Sequence, residues 1–346
     1  MRPGHRYGLH RVLDPIGTMP QPAWKIDNSM ELYDNEILID VETLNIDSAS
    51  FVQIKEAEGG DPVKVGEHMQ RIVQERGKHH NPVTGSGGML IGTVRQIGER
   101  LQGQIDLQES DRIATLVSLS LTPLTINKIT DLDIKTGQVG IAGQAILFES
   151  GLYAKLPSDL PDRVALAVLD VCGAPAQTAK LVKTGDTVVV LGAGGKSGTM
   201  VLYQARKSAG PTGKIIAVEY GEAGCEMLRK LGWADVVLNL DCTKPVEVLE
   251  AVEKATAGKF ADFTVNCVNI PGTEMTSILS TKDDGTVYFF SMATSFTAAA
   301  LGAEGVGKDV NMIIGNGYTK GHADLSLQLV RESAELRGLF ETKYGL

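Results

Sequence analysis

The sequence predicts an α/β protein with a β-rich first part and a doubly wound parallel sheet in its second part. Short segments of alternating polarity dominate the first third of the chain, and strands alternate with helices from about Leu160 onward. A glycine-rich turn joins one of these strands to the helix that follows it. At 346 residues, the chain is long enough for two domains and short for three.

The β-rich part is indicated by two segments in particular. Glu36–Glu42 alternates apolar and polar side chains, and Met89–Val94 follows a cluster of glycines, so both are predicted to be strands. Residues 57–80 interrupt this part with a polar segment that we predict to be helical. Its apolar stripe consists of Val63, Val65, Met69, Ile72 and Val73.

The second part has the spacing of α/β units. Predicted helices cover Pro161–Lys183, Gly198–Ala209, Glu222–Leu231 and Val246–Ala257. Predicted strands cover Asp186–Leu191, Lys214–Val218, Val236–Leu238, Phe263–Cys267 and Thr286–Phe290. This succession is typical of the doubly wound fold of dinucleotide-binding domains.

Composition limits the possible partners and location. A net charge of −9 argues against nucleic acids and anionic membranes, and small molecules are the expected partners. The first 15 residues lack the apolar run of a signal peptide, and no apolar run approaches the ~20 residues of a membrane-spanning helix. The four cysteines form no C-x-x-C pair. We therefore expect a cytoplasmic protein with reduced thiols.

The glycine-rich turn is the strongest single motif. An apolar strand, Thr187–Leu191, runs into a G-x-G-x-x-x-G pattern, which lets the backbone approach a pyrophosphate at the positive end of a helix. Glu219 closes the next strand about 20 residues further on, where an acid accepts bonds from the ribose hydroxyls and repels a 2′-phosphate. NAD is therefore favoured over NADP, although a glutamate at a strand end is often only solvated. The expected cofactor contacts are Gly192, Gly194, Gly195, Lys196, Ser197, Gly198 and Glu219.

The order of these parts resembles the medium-chain dehydrogenase/reductase superfamily. The segments that carry this resemblance are Ile37–Val41, Leu44–Ser48, Gly85–Val94 and Gly151–Pro157, together with the glycine-rich turn. The resemblance implies a GroES-like catalytic domain over residues 1–172 and a Rossmann dinucleotide-binding domain over 173–295. It also implies that a C-terminal segment, 296–346, returns to the catalytic domain. The protein is expected to form a homodimer or a homotetramer.

The sequence departs from the zinc-containing branch of that superfamily. The positions that supply catalytic cysteine and histidine ligands in zinc alcohol dehydrogenases correspond to Asn45 and Ser86, so only Cys172 retains a ligand-type side chain. A catalytic zinc needs three protein ligands, and a free cysteine on an apolar helix is commonly just a small buried residue. No metal is expected, and Asn45 and Ser86 are predicted to contact the substrate instead.

Longer strings resemble the narrower family of diaminohexanoate dehydrogenases of lysine fermentation. They are Gln21–Asp27, Asn81–Gly92, Ala174–Gln177, Tyr288–Thr294 and Gly315–His322. This resemblance implies reversible oxidative deamination of (3S,5S)-3,5-diaminohexanoate, which gives 5-amino-3-oxohexanoate, NADH and ammonium.

Such a reaction requires a base near the nicotinamide and an ordered water. The resemblance to the superfamily places Asp47 where a hydroxyl relays the alcohol proton in zinc enzymes. Asp47 is therefore the candidate base or the ligand of the substrate amine. The alternative is that Asp47 forms an Asx turn that caps the next segment. Lys320 is the second catalytic candidate, for the pyrophosphate or the substrate carboxylate, with a solvated lysine as the alternative. Glu149, Asp170 and Lys25 are candidates to bind a pole of the substrate, with solvated or paired charges as the alternative. His79 and His80 are predicted to lie on the surface.

Two other functions remain open from the sequence. One is a zinc-free quinone, enoyl or ketone reductase of the same superfamily. Such a reductase is expected to use NADPH, and Glu219 argues against NADPH because its carboxylate would repel the 2′-phosphate. The other is a nucleotide-binding protein without catalysis, since folds are reused for unrelated functions. Turnover with a 3-amino acid separates both from the deamination reaction.

Overall fold

The computed structural model describes residues 1–315 and 317–345 and consists of two compact units, Met1–Leu166 and Ala167–Leu346. The first unit is built on an antiparallel sheet and the second on a parallel sheet. The predicted combination of a β-rich module with a doubly wound α/β module is confirmed. The domain limits at 172 and 295 stay predictions. Asn316 and Leu346 lie outside the described residues.

Eight strands and two helices make up most of the first unit as described. The strands are β1 (Val12–Asp14), β2 (Lys25–Ile26), β3 (Glu36–Ile46), β4 (Gly88–Ile97), β5 (Arg112–Thr115), β6 (Leu124–Leu132), β7 (Gln138–Phe148) and β8 (Tyr153–Lys155). The helices are α1 (Ser48–Ala57) and α2 (Pro62–Arg76). Six strands form one sheet in the order β6-β7-β3-β4-β5-β8, and β1 pairs with β2. Side chains of β3 and β4, such as Ile39, Leu44 and Leu90, are fully buried in its core.

The predicted helical insertion is α2. One residue of the predicted apolar stripe, Val63, lies in its first turn and is not buried. Asp61 caps the helix, since its carboxylate accepts a hydrogen bond from the Val63 amide at 2.9 Å. Val65 and Met69 are fully buried, and Ile72 and Val73 are nearly so. Val63, in contrast, is 68% exposed. The capping turn rotates Val63 away from the core.

The second unit is a six-stranded parallel sheet in the part of the chain that is described. Its strands are β9 (Thr187–Leu191), β10 (Lys214–Glu219), β11 (Val236–Asn239), β12 (Ala261–Asn266), β13 (Thr281–Phe289) and β14 (Asn311–Ile314). They lie in the order β11-β10-β9-β12-β13-β14. The chain order therefore reverses between β9 and β12, which makes the carboxyl end of β9 the topological switch point where ligands bind in such sheets.

The helices of this unit follow the predicted pattern with one exception. They are α3 (Asp162–Leu169, which begins in the first unit), α4 (Gly173–Leu181), α5 (Lys196–Ala209), α6 (Glu222–Leu231), α7 (Pro245–Thr256), α8 (Glu274–Ser280), α9 (Phe296–Val306), α10 (His322–Glu332) and α11 (Ala334–Tyr344). The prediction of one long helix over 161–183 is wrong. Pro175 cannot donate a backbone hydrogen bond and clashes with the carbonyl four residues earlier, so a continuous helix ends and restarts at Gly173.

Among the described residues, no single helix is both long and apolar enough to cross a membrane.

Candidate active site

The glycine-rich turn lies at the carboxyl end of β9, as predicted. Gly192 has φ 71°, a conformation that favours glycine. A Cβ at Gly198 would lie 2.1 Å from the Gly192 carbonyl oxygen, so the start of α5 packs directly on the turn. Gly194 and Gly195 directly precede α5, so no side chain covers the backbone at the start of this helix. The turn leaves open backbone at a helix N-terminus, which fits a dinucleotide pyrophosphate.

Glu219 is in direct contact with that turn. Its carboxylate Oε2 accepts a hydrogen bond from the Gly194 amide at 2.6 Å. A Cβ at Gly194 would lie 3.0 Å from the same oxygen, and a Cβ at Gly224 would lie 2.9 Å from Glu219 Cγ. Two glycines therefore make room for the Glu219 side chain. The predicted turn and the predicted acid form one site at the ends of β9 and β10.

Two polar residues of the turn have protein partners. Lys196, the first residue of α5, forms a salt bridge with Asp170, and each side chain is about one-fifth exposed (20% and 19%). Lys196 was predicted to bind the cofactor and Asp170 the substrate; the structure brings the two together. Ser197 forms a hydrogen bond with the Cys267 side chain, while burial raises the pKa of Cys267 to about 12.

The donor set does not fit a catalytic zinc ion. Burial, with a smaller effect of Asp170, raises the pKa of Cys172 to about 12, so its thiol stays protonated near neutral pH. Asn45 and Ser86 offer only an amide and a hydroxyl, neither of them a usual zinc ligand. Within the residues described, no group of three His, Cys, Asp or Glu side chains could hold a metal ion.

In the first unit, Asp47 lies between β3 and α1, half-buried. It occupies the N-cap position of α1, yet in the described structure its side chain makes no capping hydrogen bond to that helix. Its Oδ2 instead accepts a hydrogen bond from the Gly87 amide at 3.3 Å, and its own amide donates to the Gly87 carbonyl at 3.3 Å. This geometry does not support the capping alternative. It ties Asp47 to the loop that contains Ser86.

Ser86 belongs to a ring of three hydroxyls. Ser50 Oγ lies 2.6 Å from Ser86 Oγ and 2.7 Å from Thr84 Oγ1, and the last two atoms are 3.1 Å apart. Ser50 is fully buried and comes from the first turn of α1. The ring therefore fastens the 84–86 loop to the helix that follows Asp47. Asn45, two residues before Asp47, is 5% exposed at the end of β3.

The other predicted residues of this unit have different environments. Glu149 forms a 2.5 Å salt bridge with Arg100 and accepts a hydrogen bond from Asn35 at 3.1 Å. Both contacts fall on Oε2 of Glu149, and they favour a structural role for its carboxylate. Lys25, in β2, is exposed.

The prediction that His79 lies on the surface is wrong. His79 is fully buried, because the 81–88 loop folds back on it: a Cβ at Gly87 would lie 2.8 Å from its carbonyl oxygen. Neither ring nitrogen has a hydrogen-bond partner in the described structure. Burial lowers the pKa of His79 to about 4, so its ring is neutral at physiological pH. His80 is partly buried rather than exposed.

At the C-terminal end of the second unit, Lys320 is exposed between β14 and α10. His322, two residues later, is buried, and its ring lies edge-on to Tyr318 with the ring centroids 5.2 Å apart. The exposure of Lys320 is compatible with both its predicted role and a solvated lysine.

Sequence reasoning missed a small cavity in the second unit. It lies at the carboxyl end of β13 and β14, beside α4, and has a volume of about 200 Å³. Its polar lining includes Gln177, Lys180, Tyr288 and Thr319. Three of these, Gln177, Tyr288 and Thr319, belong to strings that carried the narrower family resemblance. The signal was therefore present in the sequence, but only the fold brings the strings together.

Comparison with known proteins identifies the general class of enzyme that this chain resembles. The structure is similar to alcohol dehydrogenase TADH from Thermus sp. ATN1, with a TM-score of 0.55, 17% identity, and coverage of 91% of this chain and 87% of that chain. Residues 197–306 match the family model described as zinc-binding dehydrogenase. The fold, the glycine-rich turn and this family model together define a Rossmann-type dehydrogenase with the fold of the medium-chain dehydrogenase/reductase class.

Relatives of high sequence identity identify the particular family within this class. The chain is 59% identical over 341 residues to L-erythro-3,5-diaminohexanoate dehydrogenase of Acetoanaerobium sticklandii, with 99% of each chain covered. It is 56% identical over 344 residues to the enzyme of the same name from Fusobacterium nucleatum, covering 99% of this chain and 100% of the other. Residues 10–157 match the family model for the L-erythro-3,5-diaminohexanoate dehydrogenase N-terminal domain. The chain belongs to the L-erythro-3,5-diaminohexanoate dehydrogenase family.

Proposed function

We propose that this protein catalyses the reversible, NAD-dependent oxidative deamination of (3S,5S)-3,5-diaminohexanoate. The products are 5-amino-3-oxohexanoate, NADH, ammonium and one proton, and one water is consumed. The observation that carries this proposal is the 59% identity, over 99% of both chains, to a relative named for that substrate. The donor is then a CH–NH₂ group rather than an alcohol.

The cofactor is proposed to bind at the carboxyl ends of β9 and β10. The Gly192–Gly198 turn would hold the pyrophosphate, and Glu219 would accept hydrogen bonds from the adenosine ribose. Tyr220 and Gly221 follow Glu219, so neither neighbour supplies a cation for a 2′-phosphate. This arrangement supports NAD over NADP. Bound there, the nicotinamide would accept a hydride from C3 of the substrate.

Asp47 is proposed to hold the 3-ammonium group and to receive its proton. Loss of hydride from C3 requires an amine with a free electron pair, so the ammonium must first lose a proton. The Gly87 amide donates a hydrogen bond to Asp47 Oδ2 at 3.3 Å, which orients the carboxylate. A carboxylate in water is a weak base, so the site must either desolvate it or use it to orient the amine. Both roles need its negative charge.

The second half of the reaction is hydrolysis of the iminium formed at C3. This carbon is already strongly electrophilic, so an ordered water and a proton acceptor suffice. Ser86 and Asn45 are proposed to contact the substrate and that water. Ser86 is suited to this because Ser50 and Thr84 hold its hydroxyl in a fixed place. Lys320 is a further candidate, for the pyrophosphate or the substrate carboxylate.

A substrate and cofactor matrix tests this proposal. The purified protein would be assayed with diaminohexanoate and 3-aminobutanoate against NAD and NADP, and with a quinone and an enoyl thioester against NADH and NADPH. The proposal predicts turnover with diaminohexanoate and NAD. Reduction of the quinone or the thioester with NADPH, without amine oxidation, would assign the protein to the reductases instead.

The location and the assembly are part of the same proposal. The four cysteines are free thiols in the structure, which is compatible with a reducing cytoplasm. A homodimer or homotetramer remains the proposed assembly, and light scattering of the purified protein would measure it.

A further inference from the structure

The cavity at the end of β13 and β14 is lined mainly by hydrogen-bond donors. No carboxylate lines it among the described residues, and its lining contains one cation, Lys180. Its volume of about 200 Å³ corresponds to six or seven waters at about 30 Å³ each. That space accepts a small polar group and excludes a nucleotide.

Tyr288 contributes a phenolic hydroxyl to the polar lining of the cavity. The residue is 2% exposed, and its ring packs over the end of β14: a Cβ at Gly315 would lie 3.0 Å from the hydroxyl oxygen. Among the described residues, its hydroxyl makes no hydrogen bond to the protein, and the residue lines the cavity. Burial raises the pKa of Tyr288, so the hydroxyl keeps its proton and acts as a donor. A donor that lines a cavity and has no protein acceptor is satisfied by water or by a ligand that enters the cavity.

Lys180 and Gln177 supply the other donors, one helical turn apart on α4. Lys180 is exposed and has no ion-pair or hydrogen-bond partner within residues 1–315 and 317–345. The Gln177 carbonyl oxygen already accepts a hydrogen bond from Thr319 at 2.8 Å, which leaves the amide NH₂ of Gln177 as the donor toward the cavity. An ammonium, an amide NH₂ and a phenol together match a carboxylate, which accepts through both oxygens.

The position of the cavity relates it to the cofactor site. All six strands are parallel, so the cavity and the Gly192–Gly198 turn lie at the same edge of the sheet. Glu219 lies on the β10 side of β9, whereas the cavity lies on the opposite side, two to three strands from β9. With the adenosine half at Glu219, the reactive half of the dinucleotide extends toward the cavity.

We infer that this cavity is a carboxylate-binding subsite, in which Lys180, Gln177 and Tyr288 bind the carboxylate of the amino acid substrate. This assignment rests on the proposed function for the identity of the substrate. The inference that the ligand is a carboxylate depends only on the donors that line the cavity.

The first test compares the acid with its amide. Lys180→Gln should raise the KM for diaminohexanoate about 10- to 100-fold, the usual effect of losing a charge-assisted hydrogen bond. Tyr288→Phe, which removes only the hydroxyl, should raise it about 3- to 10-fold. For 3,5-diaminohexanamide, which lacks the negative charge, both variants should differ little from the parent. Lys183→Gln, an exposed lysine just after α4, is the matched control and should leave both KM values unchanged. Equal effects on acid and amide would overturn the subsite while leaving the proposed function intact.

The second test does not depend on turnover. Titration of ¹³C-labelled butanoate, followed by NMR, should show binding to the parent and to Lys183→Gln, and weaker binding to Lys180→Gln and Tyr288→Phe. If the parent does not oxidise diaminohexanoate but shows this pattern, the proposed function fails, and the cavity binds the carboxylate of another acid. If butanoate binds all four proteins equally, or none, the subsite is wrong.

Discussion

The Glu219 carboxylate accepts a hydrogen bond from the Gly194 amide at 2.6 Å, so the acid that ends β10 reaches into the turn that follows β9. One negative charge therefore lies beside the backbone amides that are proposed to receive a pyrophosphate. A ribose with free hydroxyls can donate to Glu219, whereas a 2′-phosphate meets its charge directly. We therefore expect Glu219 to be the main determinant of the choice between NAD and NADP in the proposed site.

Replacing Glu219 should relax that choice. In Glu219→Ala, the ratio of kcat/KM for NAD to kcat/KM for NADP should fall at least about tenfold, because the repulsion of the 2′-phosphate is lost and so are the ribose hydrogen bonds. Steady-state kinetics with both cofactors measures this ratio. Glu226→Ala, an exposed carboxylate on α6, serves as the control and should keep the parental ratio. An unchanged ratio in Glu219→Ala would refute the assignment.

Removal of metal should have no effect on activity. Asn45, Ser86 and a protonated Cys172 do not form a zinc site, so exhaustive dialysis against a chelator should leave kcat within about twofold of its starting value. Cys172→Ala should also stay active, since the thiol is assigned no chemical role. Metal content by mass spectrometry and turnover would be measured on the same samples. Loss of activity that added zinc restores would contradict the donor-set argument.

The buried imidazole of His79 should make the first unit sensitive to acid. Its pKa is lowered from 6.5 to about 4 by burial, so between these two values the unfolded chain binds a proton that the folded chain does not. Stability is therefore fully present above pH 6.5 and is lost as the pH falls toward 4. The loss from this one group should be roughly 3 kcal/mol. In His79→Leu, this part of the pH dependence should disappear.

Urea unfolding across this pH range measures the effect. A Trp233→Phe background leaves Trp24, in the first unit, as the only tryptophan, so its fluorescence reports on that unit. His5→Gln, at an exposed histidine, is the control and should retain the parental slope. Identical slopes for the parent and His79→Leu would show that the ring does not couple stability to pH.

Neutralising Asp47 should stop catalysis without affecting cofactor binding. Asp47→Asn keeps the shape and the hydrogen bond from Gly87 but removes the charge, and loss of a general base typically lowers the rate by ~10²–10⁴. NADH affinity, measured by fluorescence titration, should stay near the parental value. Glu56→Gln, an exposed carboxylate on the adjacent α1, provides the matched control. Turnover of Asp47→Asn within a few-fold of the parent would make Asp47 a turn residue only.

Local signals predicted the parallel sheet well. The apolar run before Gly192, the glycine spacing and Glu219 are features of neighbouring residues, and the structure joins them through a single hydrogen bond. Glu222–Leu231 was predicted to the residue, because its amphipathic pattern lies between two turns. The break near Pro175 was missed, since the apolar periodicity of α3 and α4 continues across it.

Features that depend on contacts distant in sequence were not predictable in the same way. The burial of His79 results from a loop that returns eight residues later and packs Gly87 on its backbone. The cavity joins Gln177 to Thr319, 142 residues apart, so its donors become a group only in the folded sheet. Likewise, the Lys196–Asp170 salt bridge pairs two residues that had been assigned to different ligands.

The most direct test of the account is the stoichiometry of the reaction with diaminohexanoate. Purified protein, NAD and (3S,5S)-3,5-diaminohexanoate would be mixed, NADH followed by absorbance at equilibrium, and ammonium determined in the same sample. We expect NADH and ammonium to form in equal amounts, and NADH to be oxidised when ammonium and 5-amino-3-oxohexanoate are supplied instead. Absence of NADH formation, or NADH formed without ammonium, would contradict oxidative deamination as the function of this protein.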